Sequence, residues 1–178
     1  MGYEHAGMAV MLIEGARLLL FPTMMAFAAS SDLLTMTISN RVSLVLIAGF
    51  FALALASGMS VGVAASHIGA GFIVLLFAFV CFARGWIGGG DAKLAASTAL
   101  WLGPDQLLNY VVSASILGGL LTILVMSFRT WPLPNALAEQ DWALRLHRVD
   151  AGVPYGIALA AAALLVYPDT LWMKPFGL

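Results

Sequence analysis

Five stretches of this chain, Met8 to Ser31, Val42 to Met59, Val61 to Phe82, Leu107 to Phe128 and Val153 to Trp172, approach the roughly 20 mostly apolar residues that a helix needs to cross a bilayer. In a chain of 178 residues with a mean hydropathy of +0.98 and only 10% charged residues, too few polar side chains remain to cover a water-soluble globule. The expected fold is all-α, a polytopic helix bundle held in membrane lipid.

A sixth apolar segment, Ala92 to Leu102, covers only about half of a hydrocarbon core roughly 30 Å thick. Charge decides whether it crosses, because Lys and Arg accumulate on the cytoplasmic side. If it crosses, Arg41, Arg84, Lys93, Arg129, Arg145 and Arg148 share one side, with Arg17 and Lys174 opposite; if it does not, the bias vanishes. The expectation is therefore about six transmembrane helices in one domain, residues 1–178, with both termini outside and the loops 32–41, 84–91 and 129–152 in the cytoplasm. The short fourth span implies local bilayer thinning, or a mouth open to water beside Asp91. In the 129–152 loop, Ala136 to Val149 reads as a weakly amphipathic helix lying along the headgroups or as a solvated connector.

A net charge of −1 carries no footprint for nucleic acid, which needs a clustered basic face. The single cysteine, Cys81, precludes an internal disulfide framework and a Cys-rich zinc site. The N-terminal run ends in Ala26-Phe27-Ala28, like a signal cleavage box. Glu4 and Glu14 precede it with only Arg17 as a basic residue, so a retained first helix is expected instead.

Asp32 directly follows the first span, and Asp91 follows Gly88-Gly89-Gly90 and opens the fourth. Two complete spans lie between them, so both carboxylates fall at the same membrane face whatever the absolute orientation. A carboxylate at membrane depth is costly unless it pairs or reaches water, which makes it a functional candidate. The bland alternative is that Asp32 merely ends a helix and Asp91 caps one. The glycine run argues for more, since it permits backbone conformations closed to other residues and lets another backbone, such as an extended substrate, come close to Asp91. Peptide hydrolysis by two carboxylates needs one to take a proton from water while the other, protonated, donates to the carbonyl oxygen. Two like charges in a poorly solvated site produce that split. Lys93, two positions after Asp91, either anchors its helix to headgroups or reaches the site from an irregular first turn.

Gly88-Gly89-Gly90-Asp91-Ala92-Lys93-Leu94 resembles the GxGD-x-K-L motif of the prepilin peptidases. Asp32 followed by Ile38-Ser39-Asn40 resembles that family's other aspartate followed by Ile-Pro-Asn, and Val153-Pro154-Tyr155-Gly156 is similar to the Pro-aromatic-Gly element that opens its last helix. The resemblance implies an aspartyl peptidase of the bacterial inner membrane, with Asp32 and Asp91 as the catalytic pair and no cofactor. It would remove the basic leader of type IV prepilin-like substrates, which carry a hydrophobic N-terminal helix, at the cytoplasmic face. Pilus assembly machinery and membrane lipid are the other expected partners; the sequence leaves oligomeric state open. Ser39 departs from the family's usual Pro. The chain also lacks the cysteine region that accompanies N-methyltransferase activity in many members. It therefore resembles the short peptidases that serve Flp pilins, which implies cleavage without methylation.

Other readings are open to test. Gly58-Met59-Ser60-Val61-Gly62 fits G-x-S-x-G with His67 two helical turns on, but the nucleophile elbow needs a strand-turn-helix setting and an acid to orient the base. His5, His67 and His147 lie too far apart in sequence for a metal motif, so no metal site is expected. A small transporter or an assembly subunit using Asp32 and Asp91 as ion or proton sites is the alternative from another class. Glu14 and Arg17, at i and i+3, are expected to pair.

Overall fold

The computed structural model describes residues 2–173, apart from the side chains of 2–6, 9–10 and 135–136. Lys174, used in the charge argument, and the side chain of His5 lie outside that description. Every regular element among the described residues is helical: α1 (Gly2–Thr35), α2 (Asn40–Ala56), α3 (Val61–Ala83), α4 (Gly89–Thr130), α5 (Asn135–Ala138), α6 (Asp141–His147) and α7 (Gly156–Val166), the last continued by two short 3-10 turns. Residues 11–35, Val61–Ala83 and Gly89–Thr130 are long and apolar enough to cross a bilayer, while α2 and α7 are shorter apolar helices. Large side chains such as Leu55, Val61, Phe77 and Leu108 stand exposed on the outside of the bundle. Such an apolar exterior belongs in lipid. The chain is an all-α membrane helix bundle.

The short fourth segment is the first leg of α4. At Gly103 the backbone takes φ 73° and ψ 178°, a conformation closed to residues with a side chain, and Pro104 follows without an N–H to continue the helix. The chain folds back there. Trp101 and Gln106 both meet the far end of α7, through Trp172 Nε1 on Trp101 O at 2.8 Å and Gln106 Nε2 on Asp169 O at 3.3 Å. At the near end of α7, Tyr155 donates to Ala114 O at 3.2 Å on the returning leg and lies within electrostatic reach of Asp91 on the outgoing one. Residues 89–102 therefore make one leg and 104–130 another. At 1.5 Å per residue the outgoing leg reaches only about 21 Å, short of a hydrocarbon core.

Several expected boundaries shift for local reasons. The first helix runs on to Thr35, so Asp32 belongs to its last turn rather than following it. The last span is helical only to Val166, because Pro168 turns the chain into the 3-10 segments Tyr167–Asp169 and Leu171–Met173. The amphipathic stretch in the 129–152 loop divides into α5 and α6 and packs onto helix ends. Arg129 donates to Leu146 O at 2.9 Å and to Ala151 O and Gly152 O at 2.9 and 2.8 Å, and Arg145 donates to Leu34 O at 3.0 Å.

Aromatic rings fill the core at the end away from Asp32. Trp101 lies 5.3 Å from Phe21 and 5.0 Å from Trp172 between ring centroids, and its indole N–H donates to Leu46 O at 2.8 Å. This cluster joins α1, α2, α4 and the turns after α7. On its rim, buried Arg17 donates through Nε and Nη2 to Trp172 O at 2.9 and 2.6 Å and pairs with Glu14 at 2.8 Å, the ion pair expected from their spacing. Arg17→Met leaves the Trp172 carbonyl without these donors, and the expected cost is about 1–3 kcal/mol of stability, read as a lower unfolding temperature in detergent.

α2 and α3 hardly touch; each packs on α4 instead. The cleft between them has a volume of about 610 Å³ and is lined by Ile47, Phe51, Phe72 and Leu100, with Asn40 and Lys93 at one end.

Candidate active site

The end of α1 determines where Asp32 points. Met36 adopts a positive φ of 53° and ends the helix, its N–H closing on Asp32 O at 2.8 Å. Ser31 Oγ then reaches forward to Thr37 O at 2.8 Å and Thr35 Oγ1 back to Ser31 O at 2.7 Å, so the turn is tied on both sides. Ser39 starts α2 by accepting from Arg41 N at 3.3 Å. Ser39 thus supplies an N-cap. Between these ties Ile38 turns inward.

Ile38 meets two glycines from distant parts of the chain. A Cβ placed on Gly90 would stand 3.1 Å from Ile38 Cβ, and one placed on Gly156 would stand 2.6 Å from Ile38 Cδ1 and 2.8 Å from Asp32 Oδ2. The absence of side chains at 90 and 156 therefore lets three segments close together: the turn after α1, the loop before α4 and the start of α7. Asp32, only 5% exposed, accepts a 2.7 Å hydrogen bond on Oδ2 from Gly156 N–H at the α7 N-terminus. The amide and the aligned dipoles of that helix both favour an acceptor oxygen there.

Asp91 occupies the first turn of α4, half-buried, and accepts from the backbone N–H of Gly88. An acidic residue three positions after the N-cap satisfies a donor that the helix start leaves open. A Cβ on Gly88 would stand 3.0 Å from Asp91 Oδ2, and one on Gly89 would stand 3.3 Å from Phe82 Cε2. The close approaches this glycine run makes are thus with Asp91, Phe82 and Ile38 of the chain itself. The structure sets the two carboxylates within electrostatic reach of each other, on segments that both meet Ile38. Lys93, on the other side of the helix, donates from Nζ to Asn40 Oδ1 at 2.8 Å and ties α4 to the start of α2. Its role in the structure is this inter-helix tie.

Four residues of this neighbourhood are not marked as site residues by the sequence. Gly156 and Ile38 sit in recognisable motifs, but what they touch depends on chain reversal over more than a hundred residues. Tyr155 and buried Tyr110 both lie within electrostatic reach of Asp91. Nothing in the sequence around Tyr110 sets it apart from other apolar-span tyrosines.

Elsewhere, Ser60 is the N-cap of α3 and accepts from Val63 N at 3.4 Å, while buried His67 is bonded through Nδ1 to Leu100 O at 2.9 Å and stacks on Phe50. Asp105 lies within electrostatic reach of His67. Among the described residues no three His, Cys, Asp or Glu side chains gather closely enough to hold a metal ion.

A helical membrane bundle with two carboxylates near one another at one mouth defines a class, the polytopic membrane protein with an acidic pair. Residues 19–123, more than half of the chain, match the model of the type IV leader peptidase family, and the chain belongs to that family. It is a peptidase of the membrane. No curated protein and no solved structure matches it. With Ser60 serving as a cap, Ser60→Ala is expected to keep peptidase activity while losing about 1 kcal/mol of stability. Abolished turnover in a folded Ser60→Ala protein would return the serine nucleophile to consideration.

Proposed function

We propose that the chain is an intramembrane aspartyl endopeptidase that removes the leader from type IV prepilins of the Flp kind at the cytoplasmic face of the bacterial inner membrane, without methylating the product. The observation that carries this reading is the meeting of Asp32 and Asp91 at one mouth of the bundle, each bonded to a helix-start amide. In the proposed step one aspartate takes a proton from a water molecule as its oxygen attacks the scissile carbonyl. The other, protonated, donates to the carbonyl oxygen. Collapse of the tetrahedral intermediate breaks the C–N bond and passes a proton to the leaving amine.

The face is supported by charge. Arg41, Lys93, Arg129, Arg145 and Arg148 lie in or beside the segments that form this mouth, whereas Arg17 sits at the opposite end against Trp172. Half-buried Asp91 beside exposed Gly88 leaves a side from which an extended peptide could approach, and the short leg of α4 brings that side close to water. Cleavage without methylation is supported by a chain whose single cysteine, Cys81, is buried in α3.

The test is co-expression with an Flp-type prepilin, followed by gel mobility and intact mass of the pilin. Loss of the leader and an unmodified new N-terminus are expected. A prepilin left at full length would sink the reading, and an added methyl mass would correct the second half of it.

A further inference from the structure

The start of α7 lies beyond residues 19–123, yet it supplies an amide bonded to Asp32. We propose that Gly156 is a positioning residue for Asp32, and that Ile38 is the spacer carrying this position across to the loop that bears Asp91. The inference rests on the aspartyl peptidase reading above and adds to it how the pair is held in register.

Two properties of Gly156 act together. Its N–H binds Oδ2 at 2.7 Å, and because a carboxylate is planar, fixing one oxygen against a helix start limits where the other can point. Its missing Cβ is what allows that bond. Any Cβ would stand 2.8 Å from the same Oδ2 and 3.1 Å from Asp32 Cγ, so a side chain at 156 pushes away the very carboxylate that the amide holds.

Ile38 makes the setting of Asp32 common to Asp91. Its Cδ1 reaches the Gly156 side and its Cβ lies against Gly90, one residue before Asp91. Backbone N and O of Ile38 each stand 3.4 Å from where a Gly90 Cβ would be, so the contact is with the chain as well as the side chain. A shift at Gly156 therefore has two routes of relief, outward motion of the flexible Ile38 Cδ1 and displacement of Asp32. The first disturbs packing, and the second disturbs chemistry.

The experiment separates the two in the purified full-length protein. In Gly156→Ala, kcat for prepilin cleavage is expected to fall about 100-fold, the scale of a 1 Å misplacement, with KM little changed. Ile38→Val removes the Cδ1 that the new methyl meets. In the double variant Ile38→Val/Gly156→Ala the unfolding temperature should recover while kcat stays low. Recovery of both would overturn the proposal, because packing alone would then account for the glycine. A second readout needs no activity: labelling of Asp32 by an apolar carbodiimide, followed by mass spectrometry. It should be slow in the wild type and several-fold faster in both Gly156 variants. Unchanged labelling would overturn the positioning role. A wild-type protein that cuts no prepilin but shows faster labelling in the variants would count against the peptidase reading and leave the held carboxylate standing.

Discussion

Asp32→Asn and Asp91→Asn are each expected to slow leader removal by about 10²- to 10⁴-fold, the range that a positioned acid or base contributes. Asparagine keeps the size of the carboxylate and can still accept from Gly156 N–H or the Gly88 amide, so the bundle should stay folded. What it lacks is the ability to take up or release the proton that hydrolysis moves. In the proposed mechanism the two carboxylates work on one water and one carbonyl, so the double variant should be little worse than either single one. Initial cleavage rates of a purified prepilin in detergent, with unfolding temperatures measured alongside, check both statements. Persistent processing by either folded single variant would remove that aspartate from the mechanism. Losses that multiply in the double variant would mean that the two act in separate steps.

The largest stability effect is expected at the fold-back of α4. Gly103→Ala places a Cβ about 2.6 Å from the ring of His67, and it does so at φ 73° and ψ 178°, where residues with side chains are almost never found. Backbone strain of about 1–3 kcal/mol and a comparable overpacking term act together, so a loss of about 2–6 kcal/mol is expected. His67 has little room to yield, being bonded to Leu100 O and stacked on Phe50 at 5.6 Å. Thermal unfolding in detergent reads the effect. Adding His67→Ala removes the clash but not the strain, so the double variant should recover only part of the loss. Full recovery would show that the backbone at 103 tolerates a side chain.

The amount of this that sequence could reveal follows the range of the interactions. Spans appear in the chain as apolar runs, and counting them placed Asp32 and Asp91 at one face without knowledge of which helices pack together. The i and i+3 spacing of Glu14 and Arg17 likewise announced their pair. Contacts that depend on chain reversal left no such trace. Gly103 looks like any glycine before a proline until its φ is known, and the short segment it ends is ambiguous in sequence because half of a hairpin has no apolar run of full length. The glycine run before Asp91 suggested close approach by some backbone, and the structure fills it with Ile38, Phe82 and Asp91 itself. The sequence around Lys93 suggests headgroups or the site, whereas its partner in the structure is Asn40, distant in sequence.

The hydrogen bond between Gly156 and Asp32 also bears on when the protein becomes competent. Asp32 leaves the ribosome early, and its amide partner follows 124 positions later. Until α7 has been synthesised and inserted beside α1, the Asp32 carboxylate has no donor from that helix. A nascent chain would then hold both aspartates long before it holds Asp32 in place, and on the proposed mechanism activity would arrive with α7 rather than build up span by span.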